Sequence, residues 1–167
     1  NLIDKIDALG LAAARGRSTR IVAKMNSLTD EALIHSLMRA GRKGVKIDLI
    51  VRGACMLPAQ VVGHTDNIRV RSIIGRFLEH SRVFYFREDD VEDLYLSSAD
   101  WMNRNMVRRV ELAWPVTDPV QRQRLVDECL VAYLHDGVDA WDLGPDGTYT
   151  RYQGDGKAAV HGAQAAL

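Results

Sequence analysis

At 167 residues, 47% of them apolar and 26% charged, the chain has the size and make-up of one folded globular domain, which excludes a disordered or collagen-like polymer. Lysine plus arginine (22) balances aspartate plus glutamate (22), so no net positive charge exists to hold a nucleic-acid backbone, and nucleic acid is not an expected partner. No apolar run approaches the ~20 residues that cross a bilayer, so no transmembrane segment is expected, and Cys55 and Cys129 form neither a CxxC pair nor a zinc spacing.

The first residues place Leu2, Ile3, Ile6, Leu9 and Ala13 at helical spacing, predicting a helix over 2–15 that stops at Gly16. RIVAKMN, 20–26, alternates as a strand does. SLTD, 27–30, has the spacing of a capping box, and the helix it opens carries Leu33, Leu37 and Ala40 on one face and ends near Gly44. KIDLIVR, 46–52, is a β-branched run between Gly44 and Gly53 and predicts a buried strand.

Further strands are expected at NIRVRSI (67–73), SRVFYFR (81–87), DLYLSS (93–98) and RRVELAWPV (108–116). The acidic turn 88–92 joins two of them into a hairpin. Asp118-Pro119 caps a second long helix with Val126, Leu130, Tyr133 and Leu134 as its apolar positions. A small hairpin around Asp146-Gly147 and a short helix or frayed tail complete the chain. Alternating strands and helices with a central hairpin predict an α/β domain, a mixed β-sheet flanked by helices. Residues 1–167 read as a single domain in which 141–167 form a small C-terminal extension.

Four clusters can carry chemistry. Arg52 ends a buried strand, where α/β sheets place ligand-contacting groups, and its guanidinium can fork two phosphate oxygens; it can equally be an exposed strand terminus. His80 precedes a strand two residues before Arg82, so both can share a face, the imidazole moving a proton while the guanidinium balances oxyanion charge. A structural surface or core histidine is the alternative.

In YLSSADWMNRN, 95–105, Ser97, Ser98, Asn103 and Asn105 are donors that can line a phosphate pocket, or members of a turn with helix caps at Ser98 and Asp100. Lys24 and Asn26 share a face at the end of the first strand and add a positive, amide-bearing rim beside Arg52. No metal-ligating set is expected within the chain. His35, His64, His135 and His161 have no carboxylate or cysteine at ligand spacing, and neither GxxxxGK[ST] nor GxGxxG is present.

IVAKMNSLTD, GVKIDLIVRGACML, NIRVRSIIGRFLEHSRVFYF, LYLSSADWMNRN and RRVELAWPV, in this order and spacing, resemble the final catalytic domain of bacterial polyphosphate kinases over residues about 20–135, with looser flanks. The resemblance implies a phosphotransferase that reversibly moves the terminal phosphate of ATP onto inorganic polyphosphate, leaving ADP, through a phosphohistidine intermediate and with magnesium. It implies a phospholipase-D-like fold and a homo-oligomer when full length; the two unpaired cysteines fit a reducing, cytoplasmic location, with or without attachment to a membrane surface.

Arg52 matches the family arginine that contacts nucleotide phosphates, and His80 the second active-site histidine, an acid or base. His80-x-Arg82 stands where phospholipase-D-like proteins have histidine-x-lysine, and SSADWMNRN near their small-residue and asparagine motif. The family's phosphorylated histidine, its magnesium-contacting arginines and its adenine-facing aromatic residue lie upstream, outside this chain, so the fragment is expected to be inactive alone. The start at Asn1 fits a processed or excised piece. Met56, Ala59, Gln60 and His64, after Arg52, depart from the family pattern. Two other readings are a polyanion-binding module without catalysis and a dimeric phospholipase-D-like hydrolase.

Overall fold

The computed structural model describes residues 1–103, 111–153 and 161–166. Eight strands form one sheet in the order β6-β5-β4-β1-β2-β3-β7-β8. They are β1 (Thr19–Met25), β2 (Lys46–Val51), β3 (Ile68–Ile73), β4 (Val83–Glu88), β5 (Val91–Ser97), β6 (Ala113–Pro115), β7 (Ala140–Leu143) and β8 (Tyr149–Arg151). β1, β2 and β3 are parallel, and every outer pairing is antiparallel. The mixed sheet follows from connection length: the short acidic turn after β4 permits only a hairpin, whereas β1 reaches β2 through a helix.

In β1 and β4 the period of two divides the side chains between two cores. Ile21, Ala23 and Met25 of β1 and Phe84 and Phe86 of β4 pack under α1 (Leu2–Ala14) and α2 (Glu31–Arg42). Val22 of β1 and Val83 and Tyr85 of β4 face the opposite layer, where Leu130 and Tyr133 cover them. Those two belong to α3, which runs as Pro119–Leu125, widens into a π-helical stretch at Val126–Val131 and closes with Ala132–Leu134. α4 (Ala163–Ala166) buries Ala163 in this second core.

The predicted elements recur with three corrections. Asp30, not Ser27, is the N-cap of α2, its carboxylate accepting from Leu33 N at 2.9 Å. Residues 27–29 instead form a strap: Leu28 bridges Cys55 and Trp101, and Trp101 O accepts from Thr29 N and Asp30 N at 2.9 and 3.0 Å. α3 was expected to be regular, but its middle is π-helical; the apolar spacing of 126, 130 and 133 suits either winding. The first part of the expected 108–116 strand lies outside the described residues, and only Ala113–Pro115 are strand within the rest.

Candidate functional site

β1 and β2 end side by side, with Lys24 paired to Ile50 and Met25 to Val51. The backbone leaving them carries Asn26 and Arg52, which meet: Arg52 Nε donates to Asn26 Oδ1 at 3.2 Å. Gly53 N donates to Asn26 O at 2.8 Å, so close that a Cβ at Gly53 would stand 3.0 Å from that oxygen. Ser72 Oγ donates to Arg52 O at 3.2 Å. The strand ends therefore fix the arginine at its backbone and at Nε. Neither Nη of Arg52 has a hydrogen-bond partner among the described residues, so both remain available to an anion.

His80 lies in the loop between β3 and β4. Its side chain is exposed and makes no hydrogen bond among the described residues, while its carbonyl accepts from Arg82 Nη1 at 2.8 Å. The expected alternation of His80 and Arg82 along a strand does not arise, because β4 begins only at Val83. Arg82 turns to Asp100 and forks it, Nε to Oδ1 at 3.0 Å and Nη2 to Oδ2 at 3.1 Å. Asp100 Oδ1 also accepts from Asn26 N at 2.7 Å and Ser27 N at 3.3 Å. Burial alone would raise this carboxyl, yet Arg82 and the two amides hold its pKa below the usual carboxylate range. One buried carboxylate thereby ties the end of β1 to the residue that carries the His80 backbone.

Lys24 is not a free cation. It is 6% exposed, donates to Glu79 at 2.5 Å, and lies 3.3 Å from the centroid of the Tyr133 ring. Burial lowers the lysine's pKa against the opposing pull of Glu79. Burial would raise the pKa of Glu79, but Lys24, Tyr133 and Gln164 together bring it down. Burial and the hydrogen bond to Glu79 push the Tyr133 phenol well up. The cleft that Lys24, Asn26, Arg52, Glu79, Ser81, Tyr133 and Gln164 line holds only about 20 Å³, room for about one water. Of the cations lining this cleft, Arg52 is the one with unbonded nitrogens among the described residues; its neighbours include Glu79 and Ser81, which flank His80 in the chain.

Ser97 ends β5 and Ser98 follows it. Ser97 Oγ donates to Leu112 O at 3.2 Å and accepts from Ala99 N at 3.0 Å; Ser98 Oγ bonds Glu111 and accepts from Leu112 N at 3.0 Å. Both hold the chain between β5 and β6. Asn103 is exposed, and Asn105 lies outside the described residues. In the loop after Arg52, Ala59 is buried, Met56 and His64 are exposed, and Gln60 adopts φ 56° and donates to Leu143 O at 3.2 Å.

Sequence reasoning missed Glu79, Tyr133 and Gln164. Glu79 adjoins His80, which was a usable signal; Tyr133 read as a core position of α3, and nothing in the alanine-rich end marked Gln164.

No group of three or more His, Cys, Asp or Glu that could hold a metal occurs among the described residues. The two carboxylates nearest Arg52 and His80 are committed, Glu79 to Lys24 and Gln164 and Asp100 to Arg82. These residues do not fit a magnesium site.

A family model described as polyphosphate kinase C-terminal domain 2 matches residues 1–164. The polyphosphate kinase of Xylella fastidiosa (strain Temecula1 / ATCC 700964) is 48% identical over 155 residues, covering 93% of this chain and 22% of that protein. That of Neisseria meningitidis serogroup B is 49% identical over 150 residues, covering 90% of this chain and again 22% of the relative. The crystal structure of polyphosphate kinase from Porphyromonas gingivalis superposes with a TM-score of 0.88 at 36% identity, covering 98% of this chain and 25% of that one. This chain is thus about a quarter of the length of each.

Proposed function

Because the chain belongs to the polyphosphate kinase family, as its C-terminal domain 2, we propose that it supplies half of a phosphotransfer site in a longer enzyme that exchanges the terminal phosphate of ATP with inorganic polyphosphate. The observation that supports this reading is Arg52, held by Asn26 at the paired ends of β1 and β2, whose Nη atoms have no hydrogen-bond partner among the described residues.

Arg52 forks oxygens of the phosphate chain, and its charge offsets the negative charge that gathers on them as the phosphoryl group moves. His80, with no side-chain partner among the described residues, gives a proton to the oxygen left behind or takes one back in the reverse direction. Arg82 and Asp100 are positioning residues that set the height of the His80 backbone. The residue that carries the phosphate, and the groups that hold magnesium, belong to the remainder of the enzyme. Homo-oligomeric assembly is part of the same proposal and rests on the family resemblance, and a cytoplasmic location rests on the two unpaired cysteines.

The test is turnover of ATP and polyphosphate by the full-length protein. His80→Ala should lower kcat about 10²- to 10⁴-fold, and Arg52→Ala about 10²- to 10³-fold. Arg52→Lys should not rescue, because an ammonium cannot fork two oxygens. Near-normal turnover in both alanine variants would remove the proposal.

A second reading has its own observation. A depression of about 590 Å³ on the α3 side of the sheet is lined by Arg20, Lys46, Arg69 and Arg71 among others. Arg20 and Arg71 are paired with Asp48 and Asp142, whereas Lys46 and Arg69 are exposed and have no carboxylate partner among the described residues. Salt-sensitive binding of polyphosphate by the isolated chain, lost in Lys46→Ala/Arg69→Ala and kept in Arg52→Ala, would favour a polyanion-binding role.

A further inference from the structure

The loop that carries His80, residues 74–82, has no helix or strand of its own, and its apolar side chains do not anchor it: Ile74, Phe77 and Leu78 are 62%, 57% and 77% exposed. Something else must hold it. Its fastenings are polar, and the most concentrated one comes from the far end of the chain.

Four residues of helix cannot stand alone, so α4 is held from outside. Ala163 N donates to Asp136 Oδ2 at 2.6 Å, and the Asp136 side chain, fully buried, is itself fixed by Val138 N and Asp139 N. Anchored there, Gln164 treats Phe77 as a neighbouring strand would: its Oε1 accepts from Phe77 N at 2.8 Å and its Nε2 donates to Phe77 O at 2.9 Å. The same Nε2 donates to Glu79 Oε1 at 2.7 Å, the carboxylate whose other oxygen takes Lys24. Glu79 is the residue before His80. Gly75 lies against this amide so closely that a methyl in its place would overlap Gln164 Oε1.

We infer that Gln164 is a positioning residue, a side-chain clamp through which the C-terminal helix sets the place of the His80 loop. The inference rests on His80 taking part in phosphotransfer. It assigns the end of the chain a part in catalysis although no atom of α4 needs to touch substrate. The physical reason is that a loop held by few contacts opens at small cost, and a displacement of about 1 Å at a reacting group costs on the order of 10²-fold in rate.

The experiment uses the full-length protein with Gln164→Ala, Gly75→Ala and the double variant. Two readings are taken on each: the rate of chymotryptic cleavage after Phe77, and kcat and KM with ATP and polyphosphate. Gln164→Ala should speed cleavage at least about tenfold and lower kcat on the order of 10- to 100-fold, leaving the KM for ATP within about twofold, since Arg52 is fixed by strands and not by the loop. Gly75→Ala should do the same by expelling the amide.

In the Gln164→Ala background, Gly75→Ala should add almost nothing, because the atom it collides with is gone. Such non-additivity is not expected of two substitutions that merely weaken the fold. Unchanged cleavage in Gln164→Ala, or equal and additive damage from Gly75→Ala in both backgrounds, would overturn the inference. Faster cleavage in a full-length protein with no phosphotransfer activity would keep the clamp and overturn the assigned function instead.

Discussion

Removing Asp100 tests whether one carboxylate couples the end of β1 to the His80 loop. Asp100 is 7% exposed and the Arg82 side chain 18%, so the pair is largely withdrawn from water. Asp100→Ala deletes both oxygens of the fork and leaves Asn26 N and Ser27 N without their acceptor. Stripping one partner from a buried pair costs about 3–5 kcal/mol. Asp100→Asn keeps an acceptor for the two amides but loses the charge facing Arg82, and should cost about 1.5–3 kcal/mol, the worth of a hydrogen bond to a charged group.

Urea unfolding followed by circular dichroism reads both. With a slope of about 1–3 kcal/mol/M, the alanine variant should shift its midpoint down by at least about 1 M with the slope unchanged, and asparagine by roughly half as much. In a cycle with Arg82→Ala the effects should be strongly non-additive. A midpoint shift below about 0.3 M for Asp100→Ala, or additivity with Arg82→Ala, would refute the argument.

Acid should erode the same region. Asp100 and Glu79 both have folded-state pKa values below their ordinary range, so the stability they contribute is complete above their unfolded pKa values of about 3.9 and about 4.3 and is lost as pH falls through the lower folded values. Asp100→Asn and Glu79→Gln should each flatten the decline in urea midpoint below about pH 4. Trp101, fully buried and 4.9 Å from Phe84 between ring centroids, should cost about 3–5 kcal/mol as Trp101→Ala by thermal or urea melts. Trp101→Phe should cost less than half of that, because it also removes an indole N–H that has no acceptor among the described residues. Burial raises the pKa of Cys55 and Cys129, so at neutral pH both should alkylate with iodoacetamide at least about tenfold more slowly in the folded protein than in urea.

The strands were legible because β-branched residues at period two have few other uses: KIDLIVR and NIRVRSI lose only their end residues to loops. Capping was less legible. Ser27 and Asp30 both satisfy the local chemistry of a helix start, and the choice is made by Trp101 and Cys55, which draw Leu28 into a strap. For the candidate site, Arg52 was visible from its place after a buried strand.

The shared face of His80 and Arg82 was argued from strand geometry and failed on a boundary error of two residues, which turned Arg82 toward Asp100. Lys24 and the neighbourhood of Glu79 could be picked out singly, but their meeting with Tyr133 and Gln164 could not. The four come from β1, a loop, α3 and α4, and a contact among four distant segments leaves no period or spacing in the sequence.

The π-helical stretch of α3 bears on how this domain can change in length. Bonds that skip five residues accommodate one residue more than an α-helix spanning the same gap, with both flanks left in phase. Deleting one residue from 126–131 would let the helix close into a regular α-helix while Pro119–Leu125 and Tyr133 kept their faces. A deletion within 119–125 would instead rotate what precedes it away from the sheet. In a lineage, single-residue length variation along α3 should therefore collect at 126–131, where the helix can shorten without moving the ring that covers Lys24.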